Sequence, residues 1–180
     1  MAILKIARMG HPVLLERAAP VPDPGAPEIR RLVADMIETM VDAGGAGLAA
    51  PQVHVSLRLF VYRLPDRVPD ATDPASRPVS VLINPVIEPV GDAIAVAWEG
   101  CLSIPGLRAA VPRHATVRYS GVDLDWLTIQ GEATGFHALV LQHENDHLDG
   151  ILYPMRMTDF TQFGFTEELA RQHAPYPHAT

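Results

Sequence analysis

The chain has 180 residues, of which 48% are hydrophobic and 19% charged, and its formal net charge is −7. This composition excludes a fully disordered chain, because disorder goes with low hydrophobicity and high net charge. The acidic balance disfavours nucleic acid as a direct substrate, since polyanions are attracted by basic surfaces.

The length is close to that of a common domain, so we expect a single domain over residues 1–180. No apolar run approaches the roughly 18 residues of a membrane span. The single cysteine, Cys101, cannot form an intrachain disulfide, and nothing points to an oxidising compartment. These features predict a soluble, cytoplasmic protein without a membrane partner.

The first predicted element is an amphipathic helix near the N-terminus. Apolar residues recur at intervals of three and four from Ile29 to Val41, as on the buried face of a helix. Pro27 suits the first turn of this helix, and Gly44 suits its C-terminal end.

Several strands are predicted to follow this helix. Apolar and β-branched runs bounded by turn residues predict strands at Leu57–Tyr62, Val79–Ile87 and Ala93–Trp98. A hairpin is predicted from Thr116–Tyr119 and Leu124–Gln130, with its turn at Gly121. Leu64–Pro78 is expected to form a surface loop because it is rich in proline and aspartate.

A second helix is predicted over Gly135–Leu148, with Gly150 beyond its end. The order helix, strands, helix favours an α+β fold over alternating βαβ units. We therefore expect a largely antiparallel sheet packed around this central helix.

The second helix carries the segment His143-Glu144-Asn145-Asp146-His147, which has the form HExxH. Two histidines one turn apart face the same way and can hold one metal ion, with the glutamate beside them. They lie on the same arc of the helix as Phe136, Leu139 and Val140, so we expect them to point inward. The alternative interpretation is a chance pattern with two hydrogen-bonded core histidines.

A catalytic metal site of this kind needs a third protein ligand. In the pattern HExxHxxGxxH, Gly150 matches but Tyr153 stands in place of the last histidine. Glu167, 20 residues after His147, is one remaining candidate and would indicate a metallopeptidase. Cys101, whose thiolate would be a soft ligand, is the other, and spacing alone leaves both open.

Three segments of the chain, in this order, resemble the motifs of the peptide deformylase family. They are Gly45-Ala46-Gly47-Leu48-Ala49-Ala50-Pro51-Gln52, then Glu99-Gly100-Cys101-Leu102-Ser103, then His143–His147. The resemblance implies that Cys101 is the third ligand, together with His143 and His147. It also implies hydrolysis of the formyl group from the N-terminal formylmethionine of new polypeptides, with release of formate.

The resemblance further implies roles for individual groups. Fe²⁺ would be the ion, with Zn²⁺, Ni²⁺ or Co²⁺ as substitutes. Glu144 would take a proton from water and pass it to the departing amine, while the Leu102 N–H and the Gln52 side chain would hold the oxyanion. Asp146 would pair with Arg113 and fix the helix against the sheet. A protein that binds N-termini without turnover would have no need of Glu144 and Gln52.

A substrate site is also predicted beside the metal. Gly47 would pair with the main chain of a formyl-Met nascent polypeptide as an added strand. The remaining candidates for substrate binding are Gly45, Ala46, Arg108, Phe136, Leu139 and Val140. The C-terminal segment Thr158–Thr180 has one fixed cation and does not resemble the basic helix with which some deformylases touch the ribosome. Any transient contact with the ribosome is therefore expected to be made without a basic C-terminal helix.

Overall fold

The structure is a computed structural model that describes residues 2–64 and 79–172. The loop predicted at Leu64–Pro78 lies almost wholly outside the described residues, as do the last eight residues of the predicted C-terminal segment.

The described residues contain three α-helices and eight strands. The helices are α1 (Pro27–Asp42), α2 (Gly135–Leu148) and α3 (Thr166–Gln172). The strands are β1 (Gly47–Ala49), β2 (Leu59–Arg63), β3 (Val79–Pro89), β4 (Ile94–Cys101), β5 (Ile104–His114), β6 (Thr116–Val122), β7 (Thr128–Thr134) and β8 (Phe163–Phe165). Short 3₁₀ helices lie at Pro12–Leu14, Ala50–Val53, Tyr153–Arg156 and Phe160–Gln162.

The strands form two sheets, one with the order β1-β2-β3-β6-β7 and one with the order β4-β5-β8. Every pairing between these eight strands is antiparallel. The predicted α+β fold with antiparallel sheet is therefore confirmed. Helix α2 contacts strands of both sheets, which brings residues from both to its surface.

The apolar face of α1 anchors it on the larger sheet. Ile29, Val33, Met36 and Met40 are buried in one cluster with residues of β1, β2 and β3. This face matches the stripe predicted from the three- and four-residue spacing as far as Met40, whereas Val41, the last residue of the predicted stripe, is exposed. Within residues 2–64 and 79–172, no helix is both long enough and apolar enough to cross a lipid bilayer.

The predicted turn at Gly121 is wrong. Gly121 lies inside β6, where it pairs with Ile129, and a Cβ there would come within 2.9 Å of the Ile83 carbonyl oxygen. The glycine is explained by this close approach of strands. The turn comes at residues 123–127, where the Asp123 carboxylate accepts hydrogen bonds from the backbone N–H groups of Asp125 and Leu127.

Candidate active site

Helix α2 buries polar side chains where an ordinary helix would bury apolar ones. The exposed fractions are 8% for His143, 4% for Glu144, 6% for Asp146 and 1% for His147. The predicted inward direction of both histidines is confirmed. Buried polar and charged groups are costly unless they are paired, so their partners define what this region does.

The two histidines meet Cys101, which lies at the end of β4. A register shift between Gly100 and Cys101 interrupts the pairing of β4 with β5. The ligand atoms of Cys101, His143 and His147 all lie within 4.8 Å of one another, and Cys101 Sγ is 3.3 Å from His147 Nε2. Glu167 is exposed in α3 and is not part of this group, so the alternative ligand that spacing left open is wrong.

This group of atoms fits a divalent metal ion. One thiolate and two imidazoles are a donor set that iron, zinc, nickel and cobalt accept. Burial is the main cause that lowers the pKa of His147 well below its usual value, so this histidine is neutral, which is the form that binds metals. The Nδ1 of His143 is 2.7 Å from Glu99 Oε2, which leaves its Nε2 for an ion.

Glu99 begins a buried chain of ion pairs behind the histidines. Its carboxylate accepts hydrogen bonds from Arg113 Nε at 2.7 Å and Nη2 at 3.0 Å. Burial raises the pKa of Glu99, but hydrogen bonds from His143 and Arg113 outweigh it and hold the pKa below its ordinary value. Arg113 also donates to Asp146 at 2.5 Å, so the Asp146–Arg113 pairing is confirmed.

Glu99 was not predicted as a functional residue. Its only signal in the sequence was its place two residues before Cys101 in the second motif. Its partners, Arg113 on β5 and His143 on α2, come from separate elements that no spacing rule connects.

Glu144 lies beside the proposed ligands with an unpaired oxygen. Its Oε2 is buried and has no hydrogen-bond partner among the described residues. Burial raises the pKa of Glu144 to about 7. A Cβ at Gly47 would overlap the carboxylate, so the absence of a side chain at this position of β1 makes room for Glu144.

Gln52 is held beside Cys101 by hydrogen bonds at both ends of its amide. Its Oε1 accepts from the Ala49 N–H at 2.8 Å. Its Nε2 donates to Ser103 Oγ at 3.1 Å and lies 3.4 Å from Cys101 Sγ. The amide nitrogen therefore points towards the group formed by Cys101, His143 and His147.

An open cavity of about 510 Å³ gives access to these residues. Cys101, Leu102, Gln52, His143 and Glu144 all contribute to its lining. So does every residue predicted to bind substrate, namely Gly45, Ala46, Gly47, Arg108, Phe136, Leu139 and Val140. The structure thus brings the predicted site residues together around one cleft, with His147 buried behind it.

The site is typical of the class of metal-dependent hydrolases. In an antiparallel α+β fold, a cysteine and two histidines that could bind an ion lie beside a buried glutamate at an open cleft. The family model described as polypeptide deformylase matches residues 3–163. The chain belongs to the polypeptide deformylase family.

Individual relatives agree with this assignment. The chain is 53% identical to peptide deformylase 1 of Bordetella pertussis over 170 residues, 94% of this chain and 96% of the relative. It is 54% identical to peptide deformylase 2 of Ralstonia nicotianae over 167 residues, 93% of this chain and 94% of the relative. A class I type b peptide deformylase of Acinetobacter baumannii, solved with Met-Ala-Ser bound, has a TM-score of 0.76 at 32% identity and covers 86% of this chain and 98% of its own.

Proposed function

We propose that this chain, as one catalytic domain, removes the N-formyl group from the formylmethionine terminus of newly synthesised polypeptides and releases formate. The observation that carries the proposal is the group Cys101, His143 and His147 beside Glu144 at an open cleft. The family supports it, and so does the Met-Ala-Ser bound to the Acinetobacter baumannii enzyme, since this peptide has the free N-terminus that deformylation leaves.

We propose Fe²⁺ as the resident ion, held by Cys101 Sγ and the two histidines, with Zn²⁺, Ni²⁺ or Co²⁺ as substitutes. A divalent ion held there supplies Lewis-acid chemistry, which lowers the pKa of water and polarises a carbonyl. The family resemblance favours iron, although raw affinity for this ligand set favours zinc.

Glu144 is the proposed proton carrier. When the water oxygen bonds to the formyl carbon, the Glu144 carboxylate takes the water proton. It then gives this proton to the amine nitrogen as the C–N bond breaks, so that formic acid and a free amine leave, and the acid loses its proton to solvent to become formate. A buried carboxylate with a pKa of about 7 can both accept and donate a proton near neutral pH.

Gln52 and Leu102 are the proposed donors to the oxyanion that forms on the former carbonyl oxygen. The Gln52 amide nitrogen points into the site, and Leu102 directly follows Cys101 at the cleft. Fixed donors of this kind lower the barrier because they need no reorganisation when charge develops.

We propose that the substrate enters as an extended strand beside Gly45, Ala46 and Gly47. Strand β1 is at the edge of its sheet and pairs with β2 on one side only, which leaves main-chain groups for a peptide. Arg108, which donates to the Trp98 carbonyl oxygen at 3.3 Å, would border the outer part of the cleft.

Phe136, Leu139 and Val140 are proposed to bind the methionine side chain. A substrate that begins with formyl-norleucine should be cleaved nearly as well as one that begins with formyl-Met. Each methylene removed from the first side chain should cost about 1 to 3 kcal/mol in kcat/KM. Steady-state rates on a series of formyl peptides measure this, and equal rates on formyl-Gly and formyl-Met peptides would contradict the assignment.

The function itself is tested by adding each metal to one batch of apoprotein and measuring formate released from formyl-Met-Ala-Ser. We expect the anaerobic iron form to be the fastest and to lose activity in air, because an iron-bound thiolate at an accessible site is open to oxidation. The nickel and cobalt forms should be stable, and the zinc form slower.

If protein that demonstrably binds iron releases no formate, the proposed function is overturned. A zinc form as fast as the iron form, or an iron form that is indifferent to oxygen, would overturn the choice of iron alone.

Such a substrate places the reaction in the cytoplasm, where nascent chains are made. Helix α3 carries Glu167 and Glu168 with one cation, Arg171, so we propose no electrostatic docking of this helix to ribosomal RNA.

A further inference from the structure

The chain turns back towards the candidate metal site directly after α2. Gly150 has φ +73° and packs so closely on residue 15 that a Cβ would lie 2.6 Å from the Leu15 carbonyl oxygen. The Ile151 N–H then donates to the Asp146 carbonyl oxygen at 2.9 Å. The short 3₁₀ helix Tyr153–Arg156, here called the return turn, is thereby placed against α2.

Tyr153 packs against the first histidine of the site. Its ring lies over the His143 ring, with centroids 6.2 Å apart and an angle of 24° between the planes. It is buried in an apolar cluster with Leu14 and Ile104, against which Cys101 also packs. The Tyr153 ring therefore contacts His143 and belongs to the cluster on which Cys101 packs, so it lies next to two of the three proposed ligands.

The hydroxyl of Tyr153 does not explain this placement. It is buried and has no hydrogen-bond partner among the described residues. The contact that the residue makes with the site is therefore made by its ring. In the pattern HExxHxxGxxH a third histidine ligand stands at this position. In this chain the position holds Tyr153, whose ring contacts His143 instead.

Arg156, in the same turn, reaches His143 by a second route. Its Nε and Nη2 donate to the two carboxylate oxygens of Asp146 at 3.1 and 2.7 Å. Asp146 also accepts from Arg113, which holds the Glu99 carboxylate on His143 Nδ1. Without Arg156, Asp146 would be paired with Arg113 alone. We expect the hydrogen bonds from Arg113 to Glu99 to weaken as a result.

We propose that the return turn positions His143 for metal binding, through the ring of Tyr153 and through the ion pair of Arg156 with Asp146. Both are positioning residues, because neither donates an atom to the ion. The inference rests on the proposed metal site, and it adds two positioning residues that lie outside the three motifs.

The test measures how tightly the protein holds Co²⁺, independently of turnover. Apoprotein is loaded with Co²⁺, the thiolate-to-cobalt absorption is recorded, and the release of Co²⁺ to a chelator is timed. We expect Tyr153→Leu and Arg156→Met each to speed release about 10- to 100-fold, as is usual for partners that orient metal ligands, and to shift the absorption bands.

Conservative variants separate positioning from bulk packing. Tyr153→Phe should release Co²⁺ at nearly the wild-type rate, because only the unpaired hydroxyl is lost. Arg156→Lys should recover part of the loss in Arg156→Met. If Tyr153→Leu does not fold, Tyr153→Met carries the same test with a flexible side chain that fills the space.

Two control variants match these changes away from the site. Leu59→Ala removes a fully buried side chain under α1, and Arg118→Met removes an exposed ion pair with Glu132. Leu59→Ala should lower the melting temperature and leave Co²⁺ release unchanged. If Tyr153→Leu behaves like Leu59→Ala, or Arg156→Met like Arg118→Met, the inference is overturned for that residue. Wild-type protein that takes up no Co²⁺ would overturn the proposed metal site itself and this inference with it.

Discussion

Replacing Glu144 with glutamine is expected to lower kcat for formate release by about 100- to 10,000-fold, the usual contribution of general acid–base catalysis. Glutamine keeps the size of the side chain but cannot take the proton of water. Because Cys101, His143 and His147 remain, the content of bound metal should stay at the wild-type level. The measurement is steady-state turnover together with metal analysis of the same samples.

The control for this variant is Glu28→Gln, which removes an exposed carboxylate at the start of α1. It should change neither turnover nor metal content. If Glu144→Gln keeps more than a tenth of the wild-type kcat, the proton passes through another group and our assignment of Glu144 is wrong.

Replacing Arg113 with methionine is expected to lower the free energy of unfolding by about 3 to 5 kcal/mol, because it leaves the buried Glu99 carboxylate without its arginine and Asp146 with Arg156 alone. Arg113 is 6% exposed, and its partners Glu99 and Asp146 are 1% and 8% exposed at their side chains. Urea unfolding of the apoprotein measures the loss without a contribution from bound metal.

The matched control is Arg118→Met, because Arg118 pairs with Glu132 where both side chains are more than half exposed. An exposed pair contributes about 0 to 1 kcal/mol, so this change should be small. A loss in Arg113→Met as small as that of the control would contradict the prediction that the buried Glu99 carboxylate depends on Arg113 for its stability.

The sequence predicted helices α1 and α2, but it did not predict the seven-residue helix α3 or the strands β1, β5 and β8. The stripe from Ile29 to Val41 repeats over three turns, and HExxH needs only one turn of helix to align its histidines. By contrast, β1 and β8 have three residues each, too few for any alternation to show. Strand β5 contains Pro105, Gly106 and Pro112, which ordinarily indicate loops, and it was missed for that reason.

The support behind the site could not be predicted from spacing. Glu99, Arg113, Asp146 and Arg156 come from β4, β5, α2 and the return turn, and they meet only when both sheets close on α2. Of their contacts, only the pairing of Asp146 with Arg113 was foreseen, and it came from the family resemblance. The seven residues predicted to line the cleft all do so. Three of them, at positions 45–47, belong to the first motif, and three others lie on the helical arc of α2 that also carries His143 and His147.

The Glu144 carboxylate occupies the volume in which a side chain at position 47 would stand, so β1 and α2 share a single space. Protein interiors are packed as densely as organic crystals and do not open gaps in response to small movements. A peptide that pairs with β1 and shifts it would therefore move the surface against which the carboxylate rests. We therefore expect a peptide main chain that pairs with Gly47 to influence the position of Glu144, the proposed proton carrier.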